Sequence, residues 1–377
     1  MKKLIPLIAA VLMTCGCVPH TELDKLGIAE AVGIDYADGR YTVTVQYFNT
    51  DASGGVTAVD SSAPNAVTAD CSGRTIESAL EALSYKTGKN IMLGATGIIV
   101  YGKDAAFSLR DSLGFTASHF SGNFRSYIAA ADGKAADILA VKFKEGNASV
   151  DKVEGVLRNA EELGLTRPVR LYEAAEKLSE PTASLVLPRI SVYSDGGEMT
   201  EDGNSLILTG GVLCTDDRYA GTFDVREMSG ISMLDQAAGS GNSCDMSLTV
   251  GDSEARVMLY RIRTHITPSL SDGRLLLDIR TDADCKYVTS NLDDPYAKKD
   301  ITERLCEEEM TRRISAALEK ALHVYGADFF GLEYIIRSQS PGLWDTISGR
   351  YRDTLKECVF SVSADANMER FGITHGT

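Results

Sequence analysis

The chain has 377 residues, 44% of them hydrophobic and 24% charged, and a net charge of −15. That composition excludes wholesale disorder, and the length is too great for one ordinary core, so two or three domains are expected. The acidity excludes nucleic acid as a partner and a polybasic membrane contact.

The first segment is a leader. Lys2 and Lys3 precede the apolar run Leu4 to Met13, which is shorter than the roughly 20 residues needed to cross a bilayer. Thr14-Cys15-Gly16-Cys17 then places small residues and a cysteine where a secretory signal is cut. This pattern reads as a bacterial lipoprotein signal, with Cys17 carrying a diacylglyceryl thioether and becoming the mature N-terminus. Thr14 stands where a lipobox usually has Leu. Cys15 has Leu12 at that spacing but Thr14 just before it, whereas Cys17 is preceded by Gly16, so Cys17 is preferred. An ordinary secretory leader with an incidental cysteine is the alternative. No later apolar run is long enough to span a membrane.

Beyond the leader, Leu26 to Val32 and Gly33-Ile34-Asp35 lead to the turn Ala37-Asp38-Gly39. Tyr41 to Phe48 alternates Tyr41, Val43, Val45 and Tyr47 with Thr42, Thr44 and Gln46, a strand with one buried face. Residues 51–66 read as a loop. Thr75 stands as the cap of a helix bearing Ile76, Ala79, Leu80 and Leu83. Short strands are expected at Thr96 to Tyr101 and Ser126 to Ala131. Val153, Val156, Leu157, Ala160 and Leu163 form a helical stripe, with Gly164 as its terminator. Pro168 sits near the start of the next helix, which carries Tyr172, Ala175 and Leu178. Ser194-Asp195-Gly196-Gly197 and Glu201-Asp202-Gly203-Asn204 form the most linker-like stretch.

A hairpin follows, Ser205 to Thr215 and Tyr219 to Val225, and then a loop at Ala238 to Asn242. Ala255 to Thr267 places Met258, Tyr260, Ile262, Thr264 and Ile266 opposite Arg261, Arg263 and His265. Arg274 to Thr281 is another strand. Ile301 to Tyr325 is a long amphipathic helix with Cys306, Met310, Ile314, Ala317, Leu318, Ala321 and Tyr325 on one face. Trp344, Ile347, Tyr351 and Leu355 share a second helical face, and Cys358 to Ala364 closes the chain as a strand. The fold class is α+β, as three mixed domains, because strands and helices mix without strict βα alternation. The units are the signal segment 1–16, an N-terminal α+β domain 17–196, a small β-rich middle domain 197–252 and a C-terminal α+β domain 253–377.

The search for chemistry is negative. His20, His119, His265, His323 and His375 show no metal-binding spacing, so no metal or cofactor is expected. There is no nucleophile elbow and no phosphate loop. Asp282-Ala283-Asp284 and Asn291 to Asp294 read as solvated turns. Glu308/Arg312 and Glu309/Arg313 read as surface pairs on a helix. The six body cysteines, Cys71, Cys214, Cys244, Cys285, Cys306 and Cys358, read as mostly free, partly buried thiols. A binding or assembly component is expected rather than an enzyme.

Several segments, in order, resemble the Ger(x)C family of spore-germination lipoproteins. They are Glu22-Leu23, Ala31-Val32-Gly33-Ile34-Asp35, Gly133-Lys134-Ala135-Ala136-Asp137-Ile138-Leu139, and Gly211-Val212-Leu213 with Glu227-Met228-Ser229-Gly230. The C-terminal third adds Ala327-Asp328-Phe329-Phe330-Gly331-Leu332, Pro341-Gly342-Leu343-Trp344 and Val359-Phe360-Ser361-Val362. The chain departs from the family at Val18-Pro19, where Trp-Asp is common, and at Leu93-Gly94-Ala95, where a histidine often stands. The resemblance implies a non-catalytic three-domain α+β protein, lipid-anchored through Cys17 to the outer face of the spore inner membrane or the cell membrane. It implies assembly with the A and B membrane subunits of a nutrient germinant receptor. The competing readings are a solute-binding lipoprotein of a transporter and an extracytoplasmic hydrolase.

Overall fold

The computed structural model describes residues 25–48, 66–105, 114, 123–143, 149–179, 182, 184–194, 196, 203–215, 218–235 and 243–370. Two sheets organise them. The first has ten strands in the order β10-β9-β8-β6-β5-β1-β2-β3, with β4 beside β1 and β7 beside β6. The strands are β1 Leu26–Ala37, β2 Arg40–Phe48, β3 Ala66–Gly73, β4 Asn90–Met92, β5 Ile98–Tyr101, β6 Tyr127–Ala131, β7 Val169–Arg170, β8 Ser184–Ser194, β9 Asn204–Thr215 and β10 Arg218–Phe223. The second sheet runs β11-β12-β13-β14, from Ser243–Val250, Ser253–Ser271, Arg274–Ser290 and Val359–Arg370. The chain is thus mixed α and β, the class expected.

Helices cover both faces of the first sheet. On one face lie α1 (Ile76–Thr87) and α4 (Leu171–Ser179), which bury Ile76, Leu83, Leu171 and Leu178 with Ile99, Tyr101 and Ile128. On the other lie α2 (Ala135–Ala140) and α3 (Ser149–Glu162), whose Ile138, Leu139, Val153 and Leu157 pack on Ile98, Val100 and Ala129. This double cover explains the unbroken apolar run of β5, a central parallel strand with no solvent face. It also changes the reading of β2. Thr44 and Gln46, placed on a polar outer face by alternation, are buried because α2 lies over that side. Thr75 caps α1 as expected, in a reciprocal capping box with Ser78.

The linker-like stretch closes a hairpin. β8 and β9 pair antiparallel from Ser184↔Thr215 to Ser194↔Asn204, so residues 195–203 join two neighbouring strands of one sheet. Gly- and Asp-rich composition serves a hairpin loop as well as a domain linker, and pattern alone does not separate them. The strands of the 197–252 stretch divide between the sheets: β9 and β10 extend the first and β11 opens the second.

The second sheet is covered on one face. α6 (Lys299–Leu318) runs on into a π-helical turn at Glu319–Tyr325, ended by Gly326 with φ +60. Its expected face is confirmed, since Cys306, Met310, Ile314, Ala317, Leu318 and Ala321 are all buried. Further helices are α5 (Val225–Leu234), α7 (Leu332–Gln339), α8 (Pro341–Ile347) and α9 (Tyr351–Glu357). Trp344, partly buried, packs edge-on to Tyr351 at 5.1 Å, against the core under the second sheet.

β12 is not one continuous alternation. Val257 and Leu259 face the core before Arg261, and Ile262, Thr264 and Ile266 after it. A bulge between Tyr260 and Arg263, with Arg261 at φ 54, reverses the phase. Met258 and Tyr260 therefore do not share a face with Ile262. Asp282 and Asp284 lie within β13 rather than in a turn, and Asp284 pairs with Arg261 at 3.0 Å.

Candidate functional site: a cleft between the first sheet and α5

The segment from α3 to α4 forms one wall of a cleft. Gly164 ends α3 at φ +65 and presses against the Ser243 carbonyl and Cys244 of β11, leaving no room for a Cβ. Ser243 Oγ donates to the Glu162 carbonyl at 2.7 Å, and Asp245 N to that of Leu163 at 3.1 Å. With α3 pinned there, Arg167 reaches across to Asp235 at the end of α5, at 2.8 Å, and back to Glu173 of α4, at 2.9 Å. Burial alone would lower the Arg167 pKa, but the two carboxylates outweigh it and raise the value.

The opposite wall is the loop after the π-turn. Lys177 Nζ of α4 donates to the Phe329 carbonyl at 2.9 Å. Asp328 is buried, and its carboxylate accepts Leu332 N at 2.9 Å, Glu333 N at 2.7 Å and the Tyr351 hydroxyl at 2.9 Å. The Asp328 carbonyl accepts Ser184 N at 2.9 Å, and Thr182 Oγ1 bonds Glu333. The first sheet is thus stitched to the start of α7. Between these walls lies a solvent-open cleft, floored by Leu185, Val186, Met228, Ile231 and Phe329. A second pocket beside it shares Lys177 and Phe329 and is lined also by Asp328 and Tyr334.

A second network ties α6 to the cleft's floor helix. Arg313 is nearly buried, bonded to Glu309 at 2.6 Å and to Ser229 Oγ at 2.9 Å. Arg312 bonds Glu309 as well. The Glu309/Arg313 pair is therefore an interior joint, not the surface pair that helix spacing suggests. Burial alone would raise the Glu309 pKa, but the two arginines prevail and lower it. Glu308 instead faces Arg304 at 3.7 Å on the solvent side.

Two of the quoted sequence elements meet in space. Asp35, from Gly33-Ile34-Asp35, accepts Ala135 N at 2.8 Å and Ala136 N at 3.0 Å, capping α2 in the Gly133–Leu139 stretch. Burial raises the Asp35 pKa, outweighing those two amide bonds. Asp35→Ala should cost about 1–2 kcal/mol through the lost cap. Because the native pKa is the higher one, the Asp35 contribution is full below the unfolded carboxylate value, about 3.9, and declines as pH rises through the native value. Urea titrations across that range should show a flatter pH profile for Asp35→Asn than for the parent chain. Equal profiles would refute the assignment.

Cys17, the one site residue assigned from sequence, lies outside the described residues. Sequence reasoning missed the cleft residues Arg167, Glu173, Lys177 and Asp235. Of the lining residues, Met228, Phe329 and Phe330 stand in sequence elements quoted above. All six body cysteines are free. Among the described residues no group of side chains could hold a metal ion, and no helix is long and apolar enough to cross a membrane.

Two family profiles account for nearly all of this architecture. One, described as the spore germination protein N-terminal domain, matches residues 19–192. The other, described as spore germination B3/GerAC like, C-terminal, matches residues 209–372. The chain belongs to the GerAC-like family of spore germination proteins. No curated protein matches the sequence significantly. The crystal structure of the GerBC protein is similar in fold, with a TM-score of 0.57 at 17% identity, over 92% of this chain and 99% of that one. The profile junction, at residues 193–208, falls at the β8–β9 hairpin.

Proposed function

We propose that this GerAC-like protein is the lipoprotein C subunit of a nutrient germinant receptor, a non-catalytic component. It is held through Cys17 on the outer face of the spore inner membrane and assembles there with the A and B membrane subunits. The observation that carries the reading is the ordered match of both spore-germination profiles along the chain. The leader and Cys17 supply the anchor in this reading. Two or more acyl chains hold a protein firmly where one chain is marginal, since each buried methylene contributes about 0.8 kcal/mol. Confinement to the membrane surface raises the effective concentration of partners, so modest protein contacts suffice.

Deleting the gene should abolish the germination response to at least one nutrient, and unchanged germination with every nutrient would overturn the receptor reading. The Cys17→Ala chain should leave the membrane fraction of spores while its body, made soluble, keeps its thermal midpoint. A Cys17→Ala chain that stays in that fraction and supports normal germination would sink the anchor.

A further inference from the structure

The charges of the cleft are unevenly matched. Arg167 is shared by Asp235 and Glu173, and Asp328 holds three donors of its own. Lys177 has the Phe329 carbonyl, and no carboxylate lies within ion-pair distance of it among the described residues. An ammonium carries three donors. A partly buried cation with one neutral acceptor beside an apolar floor is costly, and an anion placed there would lower that cost. Burial, aided by Arg167, also lowers the Lys177 pKa against the raising effects of Asp235, Asp328 and Glu173, so a directly bonded counter-charge would favour the ammonium.

We propose that the cleft is a binding site for a small monocarboxylate with a branched or aromatic apolar body. The carboxylate sits on Lys177 Nζ, and the body lies on Leu185, Val186, Ile231 and Phe329. The make-up agrees, since sites for small ligands are mostly apolar with a few placed polar groups. The apolar floor disfavours phosphate, which is strongly hydrated, and Glu173 and Asp235 would repel a second negative charge. The first sheet and α4 supply one side, and α5 with the Phe329–Phe330 loop the other, so an occupant would bridge them. The inference does not rest on the receptor reading, because its test measures binding and not germination.

The test is ligand-observed NMR titration of the purified full-length chain in nanodiscs, with 4-methylpentanoate and 3-phenylpropanoate as probes and 4-methylpentanamide as the uncharged control. Saturable binding is expected for the carboxylates, with the amide weaker by about tenfold or more. Lys177→Met should weaken the carboxylates by a similar factor and leave the amide unchanged. Ile231→Phe, which fills the floor, should block both classes and serves if the Lys177 variant does not fold. No saturation up to about 10 mM, equal affinity for amide and acid, or carboxylate binding untouched by both variants would overturn the proposal.

Discussion

Asp328→Ala is expected to lower the unfolding free energy by on the order of 4 kcal/mol, measured as a fall in the urea midpoint. The side chain accepts two backbone amides at the start of α7 and the Tyr351 hydroxyl, all in the interior. Removing it strands three donors, and a buried donor left unpaired costs about 1–3 kcal/mol. Gly331, at φ +79, turns the chain into this cap. Asp328→Asn should fall between, because one amide oxygen still accepts while its NH₂ faces a donor. The pH dependence separates charge from shape. Burial raises the Asp328 pKa, and its three hydrogen bonds do not cancel that. The native carboxyl therefore keeps its proton to higher pH than the unfolded one. Its contribution is full below the unfolded value and is lost as pH rises through the native value. The Asn variant should lack that decline. A loss under about 1 kcal/mol for Asp328→Ala would refute the buried cap.

Much of the fold is legible in local pattern. The alternation of β2, the Thr75 cap and the long face of α6 from Cys306 to Ala321 each follow from spacing. The errors have identifiable causes. The phase of β12 breaks at Arg261, where a bulge adds a residue, and alternation carries no sign of an added residue. Thr44 and Gln46 look like a solvent face until α2, ninety residues on, covers them. α5 was missed, although Asp224 and Glu227 form a capping box at its start. Ser229 and Gly230 weaken the helical signal there because both are poor helix formers, and they are present for contact with α6 rather than for propensity.

The cleft was less legible than the fold. Arg167, Lys177, Asp235 and Phe329 come from four separate elements and share no spacing rule. Arg313 shows the same limit at a single pair. Its i, i+4 relation to Glu309 was read correctly, but whether a helical pair faces water or a neighbour depends on the sheet beneath. Asp35 is the counterexample. It sits in an element quoted for its pattern, and its partner amides in another, so two sequence signals converge on one cap.

The second large effect contrasts two helical glycines. Gly230 lies where α5 crosses α6, and a Cβ there would press on the Arg313 carbonyl, with its carbon 2.6 Å away and Ile314 N at 3.1 Å. Both sides of the contact are backbone, so neither can rotate aside. Overpacking of this kind costs about 1–3 kcal/mol or more, and better helix propensity returns under about 1. Gly230→Ala should therefore lose about 2 kcal/mol by urea unfolding. Gly155, inside α3, has nothing within 4 Å of its added Cβ, and Gly155→Ala should gain about 0.5–1 kcal/mol. Equal effects at the two sites would mean that the helices do not touch at Gly230. The crossing matters beyond stability. Met228 and Ile231 of α5 line the cleft, and Ser229 receives the Arg313 bond. Forcing the helices apart moves that wall, so Gly230→Ala should weaken carboxylate binding in the cleft while Gly155→Ala leaves it unchanged.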